Sequence, residues 1–381
     1  MEIRKNILIM FGGQSSEHEV SVISGLQILE NIDKDLFNPI VIYITKKGEF
    51  KYVKDLLTRK EFLSKKHISV HFEKRERNAY LACDNNPFFK ALKIDSAYLA
   101  FHGGNGEIGP VQGLLETFEI PYTSPSYESS TICMNKAITK EIFTSKKLPT
   151  LPYLSINSID CDNELDTVVD NIIKGVGLPA VVKAVHIGST IGVMTAKTEI
   201  DLKKALLILS KLDRELLVEK MLINFTEYNI SVRKIENNIE TSVIEKPVKH
   251  DELLSFKDKY QTGSKSKSSG MASLDREIPA KIDTDFAEKI TEIAKKAYQT
   301  MRCSGTVRID FMFDLDSKSL YITEINTIPG SLAFYLWEAS GVPFRDQITA
   351  SIDQSFVEQK HKDLLKFQYE SDIVEKFVKG I

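Results

Sequence analysis

Several broad classes are excluded by what this sequence lacks. Its 381 residues hold only four cysteines, Cys83, Cys133, Cys161 and Cys303, far apart and without any Cys-x-x-Cys spacing. That pattern offers neither a zinc site nor a disulfide framework and fits reduced, mostly buried thiols. No His or other base neighbours Cys133 in the chain, so nothing supports a nucleophilic role for it. Positive charge is not in excess: 50 Lys and Arg stand against 53 Asp and Glu, a net charge of −3 that argues against a nucleic-acid surface. No apolar run approaches the roughly 18 residues of a membrane span, and the basic, apolar, small-residue order of a signal peptide is missing. A cytoplasmic protein with no membrane partner is therefore expected. What is present is ordinary for a globular chain, with 42% hydrophobic and 27% charged residues. At this length two or three domains are expected rather than one core.

The opening strand Asn6–Phe11 runs into the glycine turn Gly12-Gly13, after which Val22, Ile23, Leu26 and Leu29 keep helical spacing. Strands at Pro39–Thr45 and Ala97–Phe101 follow, so the first 125 or so residues read as an open α/β sheet domain. Ligands of such sheets sit beyond the carboxyl ends of the strands, where both Gly12-Gly13 and His102-Gly103-Gly104-Asn105-Gly106-Glu107 fall. A helix from Ser129 to about Phe143 carries Lys136 and Lys140, and the proline-containing run Leu148–Pro152 makes a rigid connector. Next come a strand Pro179–Val185, a loop Gly188–Val193, a helix from about Glu199 to Leu212, and strands at Leu216–Glu219, Tyr228–Lys234 and Glu240–Ile244. The aperiodic, Lys- and Ser-rich segment Lys249–Ser273 reads as a long loop, of the kind usually found as a lid or as disorder. Helices from about Asp283 to Thr300 and from Phe344 to about Lys360 flank a hairpin, and Leu364–Val378 is one amphipathic helical piece with no assignable task. The expected division is 1–125, 126–222, 223–360 and an extension 361–381.

The hairpin is the most informative feature. Residues i and i+2 of a strand share a face, so Arg308 and Asp310 point one way while Val307, Ile309 and Phe311 point the other. With Asp314–Ser319 as the turn and pairing symmetric about Ser317, Asp310 lies opposite Glu324, and Asn326 joins them on the same face. Hard oxygen ligands of this kind suit Mg²⁺ or Mn²⁺, which complete their shells with water and substrate phosphates. The alternative is the solvated face of an edge hairpin. Thr327-Ile328-Pro329-Gly330 follows directly, and its glycine lets backbone N–H groups approach a ligand.

A triphosphate carries more charge than one metal neutralises, so lysines and backbone donors must also reach it. Lys183 ends an apolar strand, where an unpaired ammonium is costly to bury, and Lys136 sits near the start of a helix. Either also reads as a snorkelling surface lysine. The loop Gly188-Ser189-Thr190-Ile191-Gly192 lacks the Gly-Lys-Ser ending of a P-loop. Glu219, followed by Lys220, and Glu227 suit an adenine amino group and ribose hydroxyls respectively, or are simply solvated loop carboxylates.

In this order the blocks resemble the D-alanine–D-alanine ligases of the ATP-grasp superfamily. They are Phe11–Ser21, His102–Gly109 with Gln112-Gly113, Met134-Asn135-Lys136, Val182-Lys183 with Gly188–Gly192, Lys259-Tyr260, Arg308–Asp310 and Glu324–Gly330. The resemblance runs from about residue 5 to 355. It implies an α/β chain with a two-lobed ATP-grasp fold after the N-terminal domain, and ATP-driven condensation of two amino acids through an acyl phosphate. On it Lys136, Lys183 and Lys259 hold phosphates, with Gly188, Thr190, Glu219, Lys220 and Glu227 completing the ATP site. Asp310, Glu324 and Asn326 hold two Mg²⁺ (or Mn²⁺), and Arg308 with the Gly330 N–H forms an oxyanion site. Glu17, linked with Ser189 and Tyr260, anchors the first substrate's ammonium, and His102 and Glu107 line the same side. A homodimer is also implied.

The chain departs from the family where the second substrate's carboxylate would bind. Ser331–Glu338 replaces the usual sequence, and Ser331 or the Tyr335 hydroxyl is left for that carboxylate, or a different acceptor is used. Ile108 stands where Asp is usual, and Leu254-Ser255-Phe256 replaces the lid's Tyr-x-Tyr. Other readings are a ligase with another amino or hydroxy acid acceptor and a non-catalytic nucleotide- or amino-acid-binding protein. An oxidoreductase is disfavoured because the first glycine turn lacks Gly-x-Gly-x-x-Gly.

Overall fold

A computed structural model describes residues 4–84, 86–187, 192–247, 276–365 and 371–380. The first strand, Lys5–Gly12, is buried along nearly its whole length because it pairs in parallel on both sides, with Phe37–Ile44 and Ser96–Leu99. Two short antiparallel strands, Phe50–Val53 and His67–Ser69, extend this sheet, and a separate three-stranded sheet spans residues 71–94. Neither addition is legible from hydrophobic periodicity, since each added strand is only three to five residues long and too short to show a period. The helix His18–Asn31 packs back on the first strand, and Gly25 must lack a side chain because a Cβ there would stand 2.1 Å from the Phe11 ring.

The predicted helix 129–143 is two helices, Tyr127–Met134 and Lys136–Ser145. Asn135 breaks the run by adopting extended backbone, and its side-chain oxygen accepts the Ile138 N–H at 2.9 Å as an N-cap. The central lobe is a four-stranded antiparallel sheet in the order Val193–Ala196, Ala180–Ala184, Glu215–Lys220, Tyr153–Asn157. Helices Ser158–Asn163, Leu165–Gly175 and Glu199–Leu209 bury one face of it around Val169, Ile172, Val182, Leu206 and Val218. The helix Lys136–Ser145 contributes Ala137 to a small cluster with Val185 and Leu217 on the other face.

The C-terminal lobe is a five-stranded antiparallel sheet in the order Arg276–Glu277, Asn238–Pro247, Phe225–Ile235, Thr306–Asp314, Ser319–Asn326. Val307, Ile309 and Phe311 pack with Ile230 and Val232 against the helix Thr284–Thr300, whose N-cap Asp283 accepts the Phe286 N–H. The helix Phe344–Asp363 sends Phe344, Ile348 and Ile352 into the core of the first domain, alongside Ile328 and Leu332. The extension carries one short exposed helix, Ile373–Lys379. No described helix is long and apolar enough to cross a membrane.

Candidate active site

The hairpin places Arg308 opposite Asn326 and Asp310 opposite Glu324, as symmetric pairing about Ser317 requires. The route to that register differs, however. Nearer the turn Asp314 pairs with Ser319 and Phe311 with Ile322, one residue out of step, and a bulge restores the match. Thr323 is the extra residue, and its hydroxyl donates to the Asp310 carbonyl at 2.9 Å. The buried positions of the strand therefore run Leu320, Ile322, Ile325, with a step of three across the bulge.

On this polar face Arg308 grips Asp310 through both oxygens, Nε to Oδ1 at 2.6 Å and Nη2 to Oδ2 at 2.7 Å. The Asn326 amide donates to Asp310 Oδ2 at 3.0 Å. Burial pushes the Asp310 carboxyl up to about 6 against the pull of Arg308, with Glu324 and Glu245 adding to the rise. Glu324 itself is exposed. Among the described residues no three His, Cys, Asp or Glu side chains gather as a metal cluster. The donor set is instead two carboxylates and an amide, hard oxygen donors that fit Mg²⁺ or Mn²⁺ with the shell completed by phosphates and water. Glu227, opposite Met312, lies on this same face.

The lysines face this strand from the other lobe. Val181 pairs with Glu219, so Lys183, two residues on, is its diagonal neighbour on the same face and forms an ion pair with it. Lys140, one turn beyond Lys136, pairs with the other Glu219 oxygen. Burial opposes ionisation of Glu219, yet Lys183 and Lys140 overcome it and hold the carboxyl near 2. For Lys183 burial is likewise outweighed, by Glu219 first and Glu324 behind it, and its ammonium is held above the usual range. Lys136 donates to the carbonyls of Val185 at 3.2 Å and Ile187 at 2.9 Å; burial lowers it despite the attraction of Glu324. Glu324 thus acts electrostatically on both lysines. The sequence offered Glu219 to an adenine amino group or to solvent; here it is no solvated carboxylate, being 2% exposed with each oxygen on a lysine, while Lys220 is exposed at the strand end.

His102 and Glu107 are both buried, and each is hydrogen-bonded to the segment Thr327-Ile328 that follows the hairpin. His102 is buried between the Ser24 hydroxyl at 2.7 Å and the Ile328 carbonyl at 3.1 Å, and burial lowers its pKa. Glu107 accepts from the Gly103 N–H at 2.7 Å, the Ile328 N–H at 3.3 Å and the Thr327 hydroxyl at 3.4 Å. Glu17 stands beside this turn: with φ at +64° Gly103 sits so close that a Cβ would come within 3.1 Å of its carboxylate.

After Gly330 the backbone takes three left-handed residues in succession, Ser331, Leu332 and Ala333, all buried. That conformation is costly for residues with a Cβ and persists only where packing enforces it. Tyr335, which the sequence offered to a substrate carboxylate, donates its hydroxyl to Glu245 at 3.1 Å. Glu245 is also held by Asn229 at 2.9 Å and Arg276 at 2.7 Å, and the Arg276 guanidinium lies 4.4 Å from the Tyr335 ring centre. Lys140, Glu245 and Arg276 were missed by sequence reasoning. Only Lys140 carried a signal, its spacing of one helical turn from Lys136. Gly188, Ser189, Thr190, Lys259, Tyr260 and the predicted lid fall outside the described residues.

An N-terminal α/β domain followed by two sheet lobes that oppose lysines to an acidic strand defines an ATP-grasp fold. Residues 6–125 match the family described as D-ala D-ala ligase N-terminus and residues 142–353 the one described as D-ala D-ala ligase C-terminus. A D-alanine--D-alanine ligase of Thermosipho melanesiensis is 35% identical over 94% of this chain and 96% of its own length. The chain belongs to the D-alanine–D-alanine ligase family. Among solved structures, the D-alanine-D-alanine ligase of Coxiella burnetii superposes with a TM-score of 0.78 at 22% identity, covering 99% of each chain. The VanG D-Ala:D-Ser ligase of Enterococcus faecalis gives 0.77 at 24% identity over 93% of this chain and 100% of that one.

Proposed function

We propose that this chain is an ATP- and Mg²⁺-dependent, ADP-forming ligase that joins two D-alanines, as a cytoplasmic step toward peptidoglycan precursors. The observation that carries the reading is the opposition of Lys136 and Lys183 to the Asp310, Glu324 and Asn326 face, with Glu324 acting on both lysines.

A carboxylate is a poor acylating agent until phosphate becomes its leaving group, so ATP phosphorylates the first substrate and the second amine displaces the phosphate. Phosphoryl transfer asks for positioning and charge neutralisation rather than covalent help. Lys136, Lys183 and Lys259 hold the triphosphate, with Gly188, Thr190, Lys220 and Glu227 around it. Asp310, Glu324 and Asn326 would hold Mg²⁺ or Mn²⁺, two ions in this reading, which neutralise phosphate charge when bound. Arg308 spends Nε and Nη2 on Asp310, and its remaining N–H groups, with the Gly330 N–H, serve the tetrahedral oxyanion. Glu17, with Ser189 and Tyr260, takes the first ammonium, and closure of the 249–273 segment excludes water from the acyl phosphate. The protein acts as a homodimer in this reading, which a monomeric mass in solution would contradict.

A second reading, with a different acceptor, draws on Tyr335, whose hydroxyl already meets the acid Glu245, and on buried Ser331. ADP and phosphate release is the test, with Mg²⁺, ATP and a panel of D- and L-amino acids plus D-lactate. Stimulation by D-alanine alone is expected. Turnover only with unlike pairs favours the second reading, and no stimulation by any member overturns the ligase assignment.

A further inference from the structure

Lys140 has no part in the chemistry above, yet it is among the most enclosed charges in the chain. Its side chain is 3% exposed and pairs with Glu219, itself 2% exposed, whose other oxygen pairs with Lys183. The ring of Tyr153, on the edge strand of the central sheet, lies 5.8 Å from the Lys140 ammonium. A buried lysine kept for stability alone is expensive, because an apolar side chain of similar volume generally packs there at lower cost. The arrangement instead has an electrostatic result. Two ammonium groups on one carboxylate leave a buried unit positive charge, whereas Glu219 with Lys183 alone would cancel to zero.

We propose that Lys140 is a positioning residue for nucleotide binding: by sharing Glu219 with Lys183 it keeps this cluster net positive and leaves the Lys183 ammonium able to engage the triphosphate. The inference rests on the reading in which Lys183 meets ATP phosphates, and not on which amino acids are joined. A charge effect must scale with the charge of the ligand, which a packing defect does not.

The test is calorimetric titration of the full chain, without amino acids, using a non-hydrolysable ATP analogue with Mg²⁺ and, separately, adenosine. Lys140→Met is expected to raise the Kd for the ATP analogue about tenfold, the loss of roughly one modest charge contact, while adenosine binding changes little. Lys140→Arg, which keeps the charge, should restore most of the affinity. Lys140→Met combined with Glu219→Gln removes the pair together, returns the site to one positive charge, and should bind the analogue nearly as the wild type does; it also serves if the single Met variant does not fold. Unchanged analogue binding in Lys140→Met, equal weakening toward analogue and adenosine, an Arg variant as poor as Met, or a double variant as weak as the single would each overturn the proposal. Loss of analogue binding in Lys140→Met, with no amino acid stimulating ADP release in the wild type, would sink the ligase reading and leave this one standing.

Discussion

Asp310 and Glu324 face each other across two strands but should respond differently to removal. Glu324 is exposed, so Glu324→Ala is expected to lower ADP release by at least about a hundredfold, the scale of lost cation-mediated charge stabilisation, while changing stability by less than about 1 kcal/mol. Asp310 is the carboxylate to which the enclosed Arg308 is bound. Asp310→Ala leaves that guanidinium without its counter-ion and should cost about 3–5 kcal/mol as well as activity. Urea unfolding beside the turnover assay separates the two, and an equal stability loss in both variants would refute the distinction. Glu107 gives a pH dependence. Burial pushes its carboxyl to about 7 from a usual 4.5. Between those values the unfolded chain releases the proton while the folded chain keeps it, so stability falls as pH rises from 4.5 toward 7, by on the order of 3 kcal/mol. Glu107→Gln, neutral throughout, should pay a constant hydrogen-bond cost but flatten that slope in unfolding measured at pH 5 and pH 8. At this scale the sequence exposed residues whose type and strand position are themselves unusual, such as Lys183, Asp310 and Glu324. It concealed Glu245 and Arg276, whose partners are 31 residues apart in the chain and meet only in the folded sheet.

At the scale of elements, long periodic segments were legible and interruptions were not. The strand pair at 306–326 was placed correctly, although the bulge at Thr323 was overlooked; the apolar step from Ile322 to Ile325 was its trace. The break at Asn135 had a similar trace, a capping residue inside an apparent helix. The left-handed run Ser331–Ala333 had none, since it contains no glycine. Immediately after it, Trp337 is 2% exposed, donates to the Ser231 hydroxyl at 2.9 Å and lies 4.1 Å beneath the Arg233 guanidinium. Trp337→Ala should therefore destabilise by about 3–5 kcal/mol, and Trp337→Phe, which loses the hydrogen bond but keeps most of the volume, by about 1–2 kcal/mol. Equal losses in chemical unfolding would mean that the hydrogen bond, not the packing, dominates.

For the whole molecule, sequence blocks marked three regions, but the cores do not respect their boundaries. Ile328, Leu332, Phe344, Ile348 and Ile352 complete the core of the first domain, and the Ser96 and Ser355 hydroxyls meet at 2.8 Å. Local periodicity reveals that a helix is amphipathic but not which sheet it covers. A fragment of residues 1–125 is accordingly expected to lack a cooperative unfolding transition, whereas in the full chain the first domain should melt cooperatively. A well-dispersed amide spectrum from the isolated fragment would disprove this.

The helix Phe344–Asp363 bears on how the chain matures at the ribosome. The parallel strands of the first domain are made before the apolar side chains of Phe344, Ile348 and Ile352 that seal them, so this portion must wait, incompletely enclosed, while both lobes are synthesised. Nascent chains stalled before residue 344 should be the ones that engage chaperones, and release of the helix Phe344–Asp363 the event that frees them.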